Sequence, residues 1–291
     1  MPWTTSDKVM TIRERSHAFD VFAETMDGWR RHLSGRNASL LSFFAFLSVF
    51  PLMLAATTIL GFVLADNDEL RQRLIDGALS DIPGLSTDLA AGEIDGNYIA
   101  LIVGVLGALW SSTKAFVGLQ GALDDTWEIH VDDRAAMPKQ RGKALVGILI
   151  LGGAQLGSIV LATIVSAAGL PTLGAIGIIV GQVAINIVVM AAMYRYLTSA
   201  TTTWASVFPG AVIAGSIFTL LQHTGTLIVR RITENAGDTY GQFALVLGIV
   251  TWLGLVAITM LMCAEFNAAR ERLAQGPTAQ LGADFDLPIR L

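Results

Sequence analysis

Two stretches of this chain, 144–168 and 173–194, contain no Asp, Glu, Lys or Arg at all. About 20 helical residues reach across the roughly 30 Å of a bilayer's hydrocarbon core, so each stretch is long enough to span it. Four more runs of similar length lie near 39–64, 98–120, 204–229 and 241–265. Charged residues make up only 15% of the chain, against roughly a quarter in soluble domains. Backbone polar groups at membrane depth must pair within the chain, so the runs are expected as helices. The expected fold is an all-α integral membrane protein with six transmembrane helices in a membrane domain of 39–265. An amphipathic N-terminal segment (1–38) precedes it and a tail (266–291) follows.

Arginine and lysine set the expected orientation. Arg30, Arg31, Arg36, Arg134, Lys139, Arg141, Lys143, Arg195, Arg270 and Arg272 fall on one set of alternating segments, and Arg71, Arg73, Arg230 and Arg231 on the other. Both termini are therefore expected in the cytoplasm, with the protein in a bacterial cytoplasmic (inner) membrane. Charges at Asp7, Arg13, Glu14, Arg15, Asp20 and Glu24 make a cleaved signal peptide an unfit reading of the start. Phe19, Phe22, Met26 and Trp29 recur at helical spacing, which suits a helix on the membrane surface or one packed on the bundle. An acidic outward segment, 66–96, is expected to be amphipathic too. Gly104 with Ala108, Gly153 with Gly157 and Gly177 with Gly181 have the small-xxx-small spacing of packed membrane helices.

SVFP occurs twice, at Ser48–Pro51 and Ser206–Pro209. Pro51 lies deep in the first run and should open its helix, with Ser48 re-satisfying part of the ladder. Pro209 lies within the first turns of the fifth run, where proline is tolerated. Gln155, Gln182, Asn186, Gln222 and His223 are the amides and imidazole that stand out within the third, fourth and fifth runs. Gln182 and Asn186 are four apart and share a face. They serve either a polar path for a headgroup or ordinary hydrogen bonding between helices.

The inner loop Asp124–Arg134 gathers carboxylates and His130, but its spacing matches no zinc signature. Ion pairs to Arg134, Lys139, Arg141 and Lys143 explain it more simply than catalysis, and no metal or cofactor is expected. Cys263 is the only cysteine and suits a small buried position. The net charge of −5 gives no footprint for nucleic acid.

Three stretches together carry a resemblance: GRNASLLSFFAFLSVFPLMLA at 35–55, FPGAVIAGSIFTLL at 208–221 and YGQFALVLGIVTWLGLVAITMLMCAEFNAA at 240–269. The chain resembles the YihY/BrkB family of bacterial inner-membrane proteins, in its YhjD-like branch. Tyr240, Gly241, Trp252, Ala264, Glu265 and Asn267 stand in the family's order, with Cys263 where glycine is common. Parts of the family once carried the label ribonuclease BN, for which this chain offers no metal centre. The resemblance implies six spans and a link to envelope lipid export. Glu265 is expected near the inner end of the sixth span, either pairing with Arg30, Arg31 or Arg36 to anchor the N-terminal segment or taking a proton or cation during transport. The leading expectation is a non-enzymatic protein that translocates an amphipathic envelope molecule, with membrane lipids as partners. A scaffold for envelope machinery is the alternative, and a metal-dependent hydrolase stands third.

Overall fold

The computed structural model describes residues 4, 6–64, 98–167, 171–240 and 243–275. Every element among them is helical: α1 (Asp7–Arg15), α2 (His17–Arg31), α3 (Ser34–Leu64), α4 (Tyr98–Thr126), α5 (Met137–Ala167), α6 (Pro171–Tyr196), α7 (Trp204–Tyr240) and α8 (Phe243–Gln275), with a 3₁₀ turn at Val131–Asp133. Five of these contain a stretch long and apolar enough to cross a membrane: Ser34–Leu54, Tyr98–Thr126, Ile176–Tyr196, Trp204–Gly225 and Phe243–Gln275. The acidic segment 66–96 lies outside the described residues. The helices outrun the apolar stretches that announce them. α8 continues through Arg270 and Arg272 to Gln275, and α7 continues from residue 229 to Tyr240.

The chain divides into two compact units, residues 43–115 and residues 1–42 with 116–291. In the smaller unit, α3 is continuous across Pro51, which has no N–H to offer the Leu47 carbonyl. Ser48 does not fill that gap: its hydroxyl donates to the Phe44 carbonyl at 2.9 Å, a turn earlier. Gly107 of α4 sits against the proline ring, where a Cβ would lie 3.1 Å from Pro51 Cβ.

In the larger unit, α5, α6, α7 and α8 each pack on the next in the chain, and α2 packs on α8. Tyr194, Leu123, Leu261 and Val207 are the largest apolar side chains wholly inside. The Tyr194 hydroxyl donates to the Met260 carbonyl at 2.8 Å, which removes the cost of burying it. Close approach falls at Gly215, which sequence spacing does not single out, and not at three of the glycines that it does. At Gly215 an added Cβ would lie 2.6 Å from the backbone nitrogen of Ile187, whereas one at Gly153, Gly157 or Gly177 meets nothing within 4 Å. Gly104 and Ala108 are both buried.

The two SVFP stretches do different work. Thr203 caps α7 reciprocally: its hydroxyl accepts from the Ser206 N–H at 3.2 Å and Ser206 Oγ accepts from the Thr203 N–H at 3.1 Å. Ser206 is thus a capping residue, while Ser48 bonds back within a helix interior.

Candidate functional site

The most concentrated chemistry lies where α2, α3, α4 and α8 meet. Glu265 of α8 is fully buried. Its Oε1 accepts from Ser34 Oγ at 2.6 Å and from Thr126 Oγ1 at 3.4 Å. His32 Nδ1 lies 2.9 Å from Oε1 and 3.1 Å from Oε2. Arg272, two turns along α8, brings Nη2 to 3.9 Å from Oε2 and donates from Nη1 to the Thr126 carbonyl at 3.0 Å. A buried carboxylate persists only where charge and hydrogen bonds replace its water, and these four side chains do so. The site depends on Gly28, where a Cβ would lie 2.5 Å from Glu265 Oε2.

A ring of ion pairs ties the site to the N-terminal helices. Glu24 of α2, nine-tenths buried, meets Arg272 Nε at 3.2 Å, Arg31 at 3.1 Å and Arg13 of α1 at 3.5 Å. Arg13 also reaches Asp20 at 2.6 Å and Asp27 at 3.6 Å. The buried residues of α2 are therefore Val21, Ala23, Glu24, Thr25 and Gly28, while of the apolar stripe Trp29 packs partly buried against the core. Phe22, on that stripe, is 50% exposed.

Both turns that deliver side chains to the site hold a non-glycine residue at positive φ: Leu33 at 54° and Glu128 at 57°. Leu33 separates His32 from Ser34, so its left-handed conformation turns two neighbours toward one carboxylate. Glu128 follows α4 in a Schellman turn, with the Ile129 N–H donating to the Asp124 carbonyl at 2.8 Å and its own N–H to that of Asp125 at 3.0 Å. Glycine is usual there. Glutamate costs about 1–2 kcal/mol of backbone strain but brings a carboxylate to Arg31 (3.0 Å), His32 (3.3 Å) and Arg272 (3.6 Å).

These contacts give the site a pH signature. Burial disfavours the His32 imidazolium, but hydrogen bonds to Glu128 and Glu265 outweigh it and hold the pKa above its ordinary 6.5. Both acceptors are carboxylates, so only the doubly protonated ring satisfies both. The hydrogen bond from His32 lowers Glu128 to about 2 against the opposing effect of burial, with help from Arg272 and Arg31. A raised histidine stabilises the fold fully below its unfolded pKa and loses that contribution as pH rises through the folded one; a lowered carboxylate stabilises above its unfolded pKa and loses it as pH falls. Thermal stability in detergent is therefore expected to be greatest between about pH 4.5 and 6.5 and to decline on the alkaline side. His32→Gln should flatten that decline. An unchanged alkaline slope in the variant would remove His32 as its cause.

The other polar residues named from sequence fall into two places. Asn186 Nδ2 donates to Thr219 Oγ1 at 2.9 Å and to Gln222 Oε1 at 2.7 Å, and Gln182 Nε2 donates to the same Gln222 oxygen at 3.3 Å. This seam joins α6 to α7. Asn267 clamps α8 onto α7 beside Pro209, accepting from the Gly210 N–H at 2.7 Å and donating to the Val207 carbonyl at 2.9 Å. His223 is exposed and has no part in the seam, and Gln155 lies on α5 with its side chain outside the described set.

Glu265 does not pair with Arg30, Arg31 or Arg36; its charged partners are His32 and Arg272. Arg31 is drawn instead to Glu24 and Glu128, its nearer acids. Spacing could not reveal His32, Ser34 or Thr126, because they come from two other stretches of chain, 32–34 and the end of α4. The one legible signal was an Arg seven residues beyond Glu265, on the same helical face. In the segment 124–134, Asp124 holds Thr198 and Ser199, while Asp125 takes Arg134 at 2.7 Å, not Lys139, Arg141 or Lys143. Among the described residues no three of His, Cys, Asp and Glu converge as metal ligands would.

The comparisons with known proteins agree with this reading of a membrane chain. The family model described as Virulence factor BrkB matches residues 25–284, a span that takes in the buried cluster, the amide seam and the Asn267 clamp. No curated protein and no solved structure matched. With most of its length under that one model, the chain belongs to the BrkB virulence factor family, the YihY-like membrane proteins.

Proposed function

We propose that this chain crosses a bacterial inner membrane six times, with α5 as the further span, and moves an amphipathic, lipid-like envelope molecule without catalysing a reaction. The observation that carries the proposal is the α6–α7 seam. Gln182 and Gln222 stand near the middle of their helices, yet both are only half-buried, and among the described residues Gln182 Oε1 and Gln222 Nε2 have no hydrogen-bond partner. Gln182 falls within the apolar stretch Ile176–Tyr196 and Gln222 near the end of Trp204–Gly225, where a half-buried carboxamide is costly against hydrocarbon and tolerable against a headgroup or water. α2, with its ion pairs facing the bundle and Phe22 facing away, then lies along the cytoplasmic surface.

The test is reconstitution into liposomes with a fluorescent anionic lipid, following its loss from the outer leaflet. Protein-dependent movement is expected, and Gln182→Leu with Gln222→Leu should reduce it at least tenfold while the protein still elutes as a folded species. Movement equal to that of empty vesicles, or equal in the double variant, would sink the proposal. The scaffold reading keeps one specific support: Val131 and Met137, in and after the α4–α5 turn, are 72% and 61% exposed. A null flux result would bring it forward.

A further inference from the structure

A groove of about 400 Å³ runs between the charged ends of α5 and α6. Its α5 wall is one helical stripe, Lys139, Lys143, Val146 and Ile150, spaced by three and four residues, with Gly142 beside Lys143. Its α6 wall carries Met193, Tyr196 and Leu197. The stripe begins with two lysines and becomes wholly apolar within two turns, which is the profile of a membrane interface passing into hydrocarbon.

The mouth is cationic and aromatic. Lys139 is exposed and pairs with no acid among the described residues. Lys143 Nζ donates to the Thr198 carbonyl at 2.7 Å and lies 3.4 Å from that of Leu197, which fixes the ammonium at the rim without neutralising it. The acid that acts on Lys143, Asp124, is buried and already accepts three hydrogen bonds from Thr198 and Ser199. Tyr196 is half-exposed and packs edge-on against Trp204, over which Arg195 lies at 5.1 Å. Tyrosine, tryptophan and basic residues together mark headgroup level.

The groove's shape is fixed from behind. A Cβ at Gly147 would lie 2.6 Å from the Phe116 ring, so α5 is seated there at its closest approach. A Cβ at Gly142 would meet nothing within 4 Å, so the slot is open at the level of the lysines. From these features we infer that the α5–α6 groove is a binding site for an anionic glycerophospholipid, with the phosphate against Lys139 and Lys143 and one acyl chain along Val146, Ile150 and Met193. The inference rests on the proposed function only in placing α5 and α6 in the bilayer. A site at this level would present lipid to the cytoplasmic end of α6, the helix that carries the amide seam.

Native mass spectrometry of the full chain in detergent, with phosphatidylglycerol and phosphatidylcholine of matched chains, tests the site. One phosphatidylglycerol should be retained at a concentration at least tenfold below that needed for phosphatidylcholine. Lys139→Glu should abolish the preference. Gly142→Leu, at a position where an added Cβ meets nothing within 4 Å, should reduce retention of both lipids while the melting midpoint of delipidated protein stays unchanged. Equal retention of the two lipids, or full retention in folded Gly142→Leu, would overturn the site. The liposome assay separates the two proposals: a retained adduct without flux supports the groove and defeats translocation, whereas flux without a preferred adduct defeats the groove alone.

Discussion

Glu265→Ala should lose about 3 kcal/mol of stability, and with it most of the folded protein in the membrane. The figure follows from what stays behind. Arg272 and His32, with side chains 14% and 8% exposed, would lose their shared carboxylate, and Arg272 would keep its charge. Removing one partner of a buried pair costs about 3–5 kcal/mol, and His32 can shed its proton, which places the expectation at the lower end. Ser34 Oγ also loses its acceptor at 2.6 Å. Glu265→Gln should cost about 2 kcal/mol, since an amide oxygen can still accept from Ser34 but its NH₂ group faces donors. The measurement is the folded fraction by size exclusion in detergent, with a thermal midpoint. In a cycle with His32→Ala, the double variant should lose about 1–2 kcal/mol less than the sum of the singles. Unchanged abundance and melting, with flux lost, would instead make Glu265 a transport group.

This cluster also marks how far the sequence could be read. Charge-free runs report hydrocarbon thickness, so the described helices α3 to α8 and their order were legible, with boundaries short wherever a helix continues into charged residues. The end of α8 shows the cause: Arg270 and Arg272 are too polar for an apolar window yet fully compatible with a helix. Glu265 was legible as an acid at a span's end. Its surroundings were not, because His32 and Glu128 take their places through turns at Leu33 and Glu128 whose positive φ no residue type announces. The small-residue pattern was uneven for a related reason: Gly104 and Ala108 are buried, whereas Gly153, Gly157 and Gly177 face open space. A four-residue spacing says that two glycines share a face and is silent on whether a helix lies against that face.

Gly210 and Gly153 make that distinction measurable. Gly210 lies on the α7 turn held by Asn267, and a Cβ there would come within 2.5 Å of both Asn267 Nδ2 and the Cys263 carbonyl oxygen. Gly210→Ala should therefore destabilise by about 2–3 kcal/mol, because overpacking and the two displaced hydrogen bonds exceed alanine's helix advantage of about 1 kcal/mol. Adding Asn267→Ala should recover only part of this, since the Cys263 carbonyl belongs to the α8 backbone and cannot swing away. Gly153→Ala meets no atom within 4 Å, so propensity alone acts and the midpoint should hold or rise. If Gly210→Ala raises the melting temperature as Gly153→Ala does, α7 and α8 do not approach at that turn and the Asn267 clamp is wrong. If the two variants part in opposite directions, Asn267 closes the α7–α8 pair on the proline turn, and glycine stands after Pro209 because the α8 backbone passes within reach of a side chain's first carbon.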